Sequence, residues 1–233
     1  MKKTIAFDAD DTLWHNESIF HETTLSFKNL VAHYVAPESL EERLYVVERR
    51  NLALFGYGIK GFMLSMIETI IELSDSKVTA GEIQQIIDLG KYMLTHPIHV
   101  LAGVEQTMLA LKDDYRLIVI TKGDLLDQES KIARSGLADY FENIEIVSEK
   151  DERTYQEVLK RNKIDINHFL MIGNSLKSDI LPICGLGGRA VHIPYHLTWE
   201  LDKVEIPHHF NDQHYVTLES IALLPQFLQE SGF

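Results

Sequence analysis

Five short runs of apolar, mostly β-branched residues punctuate the chain: KTIAF (3–7), LIVIT (117–121), IEIVS (144–148), FLMIG (169–173) and RAVHIP (189–194). Each is nearly continuous in apolar character instead of alternating with polar residues. A strand that is apolar on both faces needs cover on both, which is the condition of a parallel sheet. Helix-periodic stretches separate the later runs, at 103–112, 125–136, 154–162 and 177–186. This alternation predicts βαβ units and a three-layer α/β/α sandwich with a mostly parallel sheet. A weaker run, HYVTL (214–218), predicts a sixth strand before a terminal helix, ESIALLPQFLQ, with Pro225 at its start or at a kink.

Between the first and second runs the rhythm changes. Residues 15–100 contain no convincing strand, and their apolar positions repeat at helical spacing. Leu40, Leu44, Val47 and Leu52 form one stripe, and Phe62, Met66, Ile70 and Leu73 another. Thr79 and Glu82 have the spacing of a capping box ahead of Ile83, Ile86, Ile87 and Met93. A βαβ crossover needs far fewer residues. The pattern therefore predicts an all-helical insertion of about four helices at 15–100, within a core made of 1–14 and 101–233.

Composition narrows the function classes. The chain has 233 residues, 45% hydrophobic, enough for a sizeable core. A formal net charge of −13 argues against nucleic acid as a partner, while a local cation could still admit a small anion. No apolar run approaches the roughly 18–20 residues of a membrane span, and no secretory leader is expected. Cys184 is the single cysteine, so no internal disulfide can form; it is expected to be a buried structural thiol in a cytoplasmic protein.

In an open parallel sheet, ligands bind beyond the carboxyl ends of the strands. After the first run come Asp8, Asp10, Asp11 and Thr12. Thr121, Lys122 and Gly123 close the second, Lys150 follows the third, and Gly173, Asn174, Ser175, Ser178 and Asp179 follow the fourth. Crowded carboxylates are costly unless positive charge shares their site. Such a set suits phosphoryl transfer through a carboxylate nucleophile. Asp8 would attack phosphorus. Asp10, two residues on, would protonate the leaving alkoxide and then deprotonate water. Magnesium would be held by oxygens of Asp8, the Asp10 carbonyl and Asp179. Lys150 would keep Asp8 ionised, and Thr121 with N–H groups near Gly123 would grip phosphate. Asp11 points the other way on this parity and is expected to cap or turn the chain.

These segments resemble the haloacid dehalogenase superfamily. FDADDTL resembles its first motif, VITKG its second, SEK its third-motif lysine and LMIGNSLKSDI its fourth, and the helical insertion after the first motif matches the family's cap. The resemblance implies a Rossmann-like core, a Mg2+ cofactor and mostly phosphatase activity on a small phosphorylated metabolite, with Asp8 as nucleophile and Asp10 as acid/base. Three departures stand out. Lys122 stands where Asn is common, and would add a cation near the phosphate. Asn174 stands where many members carry Asp, so the metal would be drawn from Asp8, Asp10, Asn174 and Asp179 with one charge fewer. Asp151 replaces a frequent proline after Lys150. A dehalogenase, a phosphomutase and a non-catalytic phosphate-binding protein remain as alternatives on the same fold.

Several residues admit plainer readings. The histidines of HPIH (96–99), HIPYH (192–196) and HH (208–209) look like metal sites, but Pro97 and Pro194 break the helix that an i, i+4 zinc pair needs. They are read as surface or satisfied core residues. Trp14 and His15, where the chain enters the insertion, are equally candidates for facing substrate.

Overall fold

The computed structural model describes residues 2–204 and 215–233. In chain order its first elements are β1 (Thr4–Phe7), α1 (Glu17–Val31), α2 (Pro37–Phe55), α3 (Ile59–Leu73), α4 (Ala80–Thr95), α5 (Val104–Leu111) and β2 (Arg116–Lys122). There follow α6 (Leu125–Ser135), β3 (Asn143–Val147), α7 (Glu152–Asn162), β4 (Phe169–Gly173), α8 (Leu181–Gly185), β5 (Arg189–His192), β6 (Tyr215–Thr217) and α9 (Leu224–Ser231). His208, His209 and His214 lie outside the described residues. The chain forms two compact units: Met1–Glu17, Ile98–Lys122 and Gln128–Phe233 in one, Ser18–Pro97 and Gly123–Asp127 in the other.

The first unit is built on a six-stranded sheet in the order β3-β2-β1-β4-β5-β6, every pairing parallel. Central β1 is buried along its whole length, as its unbroken apolar run requires. Successive residues feed opposite layers. Ile5, Phe7, Leu117 and Val119 pack with Met108 of α5 and Leu224 and Leu228 of α9. Ala6, Ile118 and Ile120 pack with Tyr155 and Val158 of α7. The α/β sandwich and parallel sheet expected from the apolar runs are what the chain forms.

Two local features differ from the sequence pattern. The stretch 177–186 is not one helix: Leu176–Ile180 makes a wide π-type turn, and only then does α8 begin, with Pro182 in its first turn, where a missing N–H costs nothing. The ends of the helical segment are also shorter than 15–100. Leu101 N–H donates to Leu13 O at 2.9 Å and His15 N–H to His99 O at 3.0 Å, which ties both crossings to the sheet unit.

The second unit contains α1 to α4, whose stripes meet in one core of Phe27, Leu40, Leu44, Phe62, Met66, Ile70, Ile86 and Met93. Gly123–Asp127 belong with it, and Lys60 Nζ lies 2.9 Å from Asp124 Oδ1. Helix α4 starts with the full capping box: Glu82 N–H donates to Thr79 Oγ1 at 3.2 Å, and Thr79 N–H to Glu82 Oε2 at 2.8 Å. The N–H and hydroxyl of Thr79 both donate to Glu82 Oε2 and hold that carboxyl down at about 2. A Thr79→Ala variant is expected to lose about 1 kcal/mol of stability, read as a lower denaturant midpoint at unchanged slope.

Candidate active site

The Asp8 amide still donates to Ile172 O at 2.8 Å, so its side chain is held at the carboxyl end of the two central strands. Lys150 Nζ reaches Asp8 Oδ1 at 2.5 Å and Asp179 Oδ1 at 2.7 Å. All three side chains are almost wholly buried. Burial works against the Lys150 ammonium, but the carboxylates of Asp179 and Asp8 outweigh it and raise its pKa. Burial pushes the Asp8 carboxyl up to about 7, opposed by Lys150 and reinforced by Asp179.

The fourth-strand loop is shaped to deliver Asp179. Its Oδ2 accepts the Ser175 N–H at 3.0 Å, and Ser175 Oγ accepts the Ser178 N–H at 3.1 Å. Gly173 is required here, because a Cβ on it would come within 2.3 Å of the Asp179 carboxyl group. Asn174 is held by His192, whose ring Nε2 lies 3.0 Å from its carbonyl.

Thr12 joins Asn174 to Asp8. Its Oγ1 is 3.0 Å from Asp8 Oδ2 and 3.2 Å from Asn174 Oδ1, and it accepts the Asn174 N–H at 3.1 Å. One hydroxyl proton cannot serve both oxygens. Two hard oxygens thus converge where only one is neutralised, and with both carboxylates ionised the Asp8–Asp179–Lys150 cluster would carry a net negative charge that repels phosphate. A divalent cation with oxygen ligands fits both conditions. Each Asp179 oxygen meets a nitrogen donor, Lys150 Nζ at Oδ1 and the Ser175 N–H at Oδ2. Among the described residues no group of three or more His, Cys, Asp or Glu side chains could hold a metal, so such a cation would rely on amide and main-chain oxygens as well.

Asp10 is turned to a different set of partners. Trp14 Nε1 donates to its Oδ1 at 2.8 Å, Gln128 Nε2 to its Oδ2 at 2.8 Å, and Lys131 Nζ lies 3.1 Å from both oxygens. Thr121, 1% exposed at the end of β2, donates to Gln128 Oε1 at 3.3 Å. Lys122 meets Ser178 and Asp202: its Nζ lies 3.0 Å from Ser178 Oγ and 3.2 Å from Asp202 Oδ1, with Glu149 at 3.8 Å. Gly123 has φ 153°, a conformation that suits glycine, and heads the segment grouped with the helical unit. Asp11 accepts the N–H groups of Asn16 and Glu17 at the start of α1, from a left-handed φ of 62°. Trp14 is fully buried, and His15 pairs through Nδ1 with Tyr195 Oη at 2.6 Å.

The sequence pattern covering residues 2–183 matches the model of the haloacid dehalogenase-like hydrolases. The chain belongs to that family. It is a haloacid dehalogenase-like hydrolase, and a solved relative agrees throughout: the haloacid dehalogenase-like family hydrolase of Xanthomonas campestris is 39% identical, covering 98% of this chain and 91% of that one, with a TM-score of 0.86. Two curated relatives carry the name glyceraldehyde 3-phosphate phosphatase. The Pyrococcus abyssi protein is 30% identical over 84% of this chain and 82% of its own length; that of Pyrococcus furiosus is 26% identical over 99% and 95%.

Gln128 and Lys131 carry no mark of function in the sequence. They lie one turn apart on the face of α6 that also buries Ile132. That mixture of polar and apolar residues on one stripe was the available signal.

Proposed function

We propose that this hydrolase is a magnesium-dependent phosphatase of small phosphomonoesters that works through an aspartyl phosphate on Asp8. The observation that carries the reading is Asp8, buried at a strand end within 2.5 Å of Lys150, with a second carboxylate, Asp10, two residues on. An enzyme attacking carbon has no need of that second carboxylate. The phosphatase names of the curated relatives support the same side.

In this reading an Asp8 oxygen attacks phosphorus as the ester P–O bond breaks, and Asp10 gives its proton to the leaving oxygen. Asp10 then takes a proton from water as that water attacks the aspartyl phosphate, releasing inorganic phosphate and free Asp8. Lys150 holds Asp8 in place and offsets its charge. Thr121 and the backbone around Gly123 are the proposed phosphate grip, with Lys122 a more distant cation tied to Asp202. Asp8, Asn174 and the Asp10 carbonyl would hold Mg2+, and Asp179 would orient Lys150. The cation, when bound, supplies positive charge that lets an anionic nucleophile approach an anionic phosphate. The helical unit is the proposed selector of substrate, and a cytoplasmic setting is part of the reading, resting on the lone buried thiol of Cys184.

The test is a phosphomonoester panel, glyceraldehyde 3-phosphate included, assayed with Mg2+ and with chelator. Metal-dependent release of phosphate from at least one member is expected; none from any member would overturn the proposal. Asn174→Asp, which restores a formal charge to the ligand set, is expected to lower the magnesium concentration for half-maximal activity about tenfold. An unchanged magnesium titration would remove Asn174 from the ligand set.

A further inference from the structure

Lys131 is a buried ammonium, 7% exposed, that the phosphoryl chemistry above does not use. Desolvating a lysine is expensive, and a hydrophobic residue of similar size would fill the same space at no such cost. Among its partners are the carboxylate of Asp10, symmetrically at 3.1 Å from each oxygen, and the side-chain oxygen of Asn16 at 2.8 Å. One turn earlier on α6, Gln128 is 2% exposed and donates to Asp10 Oδ2. Its amide has a defined orientation, because Oε1 accepts the Thr121 hydroxyl and Nε2 must then face Asp10. Trp14 closes the other side through its indole N–H.

Three donors from two separate parts of the chain therefore act on both oxygens of one carboxylate. A single ion pair would leave Asp10 free to rotate about its side-chain bonds. Contacts on both oxygens remove that freedom. The relay Thr121–Gln128–Asp10 also joins the end of β2, where the phosphate grip is proposed, to the carboxylate that would serve the leaving oxygen.

We propose that Gln128 and Lys131 are positioning residues for Asp10, fixing the orientation from which its carboxyl group, when protonated, passes its proton to the leaving-group oxygen. The inference rests on the phosphatase reading above and adds two residues that would act through Asp10. It makes a specific demand on substrates. A departing alkoxide is strongly basic and depends on a well-placed acid, whereas a nitrophenolate leaves with little help.

The experiment compares kcat/KM for p-nitrophenyl phosphate and for a simple alkyl phosphate in wild type, Lys131→Met, Gln128→Leu and Asp10→Asn. The ratio of aryl to alkyl kcat/KM is expected to rise about 30-fold in Lys131→Met and about tenfold in Gln128→Leu, within the rise produced by Asp10→Asn. A purely structural role would lower both substrates in parallel and leave the ratio unchanged, which would overturn the proposal. Faster turnover of the alkyl ester would overturn it too, since the contacts would then be holding Asp10 away from its task. If Lys131→Met does not fold, Gln128→Leu carries the same test, because the loss of the Thr121 contact strikes both substrates equally and cancels in the ratio. A wild-type protein inactive on both esters would count instead against the phosphatase reading.

Discussion

Asp8→Asn is expected to abolish phosphomonoester hydrolysis, with a loss of roughly 10⁴-fold or more in kcat, while the protein stays folded. An amide cannot form the acyl phosphate, so what disappears is the covalent route itself and not merely a contact. The fold should tolerate the change. Burial already disfavours the ionised Asp8 carboxylate, and Lys150 keeps Asp179 as a partner at 2.7 Å. A thermal midpoint close to wild type, beside the lost activity, separates chemistry from unfolding. Turnover within tenfold of wild type would remove Asp8 from the nucleophile's role.

The sheet was legible because its strands are buried on both faces. A run such as FLMIG can be nothing but interior, and the observed order puts it beside KTIAF at the centre. Helix α4 was equally plain, since the Thr79–Glu82 capping box is a local device that needs no tertiary context. The stretch 177–186 misled because Ile180, Ile183 and Cys184 fall at helical spacing. Pro182 and the burial of Asp179 impose a wide turn that periodicity alone does not reveal. The grouping of Gly123–Asp127 with the helical unit was invisible, because the Lys60–Asp124 pair spans 64 residues of sequence.

In the candidate site the same rule holds. Asp8 stands out as a charge directly following an apolar strand, and Lys150 and Asp179 as charges in the loops beyond the third and fourth, where a charge is costly without a purpose. Lys122 also follows a strand, and its contact with Asp202, 80 residues on, is one that the sequence pattern does not announce. Lys131 and Gln128 were missed for the opposite reason. On a helix, lysine and glutamine usually mark the solvent face, and only the approach of α6 to the loop after β1 makes them interior.

Lys150→Met is the substitution with the largest expected effect on stability. It preserves length and removes the one ammonium shared by two buried carboxylates, Asp8 and Asp179. Breaking a buried ion pair by deleting one partner typically costs about 3–5 kcal/mol, because the other partner is left buried and uncompensated. Here two are left, facing each other. Burial already pushes the Asp8 carboxyl up to about 7, and without Lys150 to oppose that rise its pKa in the folded variant lies further above that of the unfolded chain. An acid whose folded pKa is raised stabilises the fold only while it stays protonated, and that contribution fades as pH rises through the folded pKa. The variant should therefore come closest to wild type near pH 5 and fall furthest behind above pH 7, with activity lost throughout. Denaturant melts of both proteins across that range test it. A deficit that does not change with pH would mean that the two carboxylates are compensated by something other than Lys150.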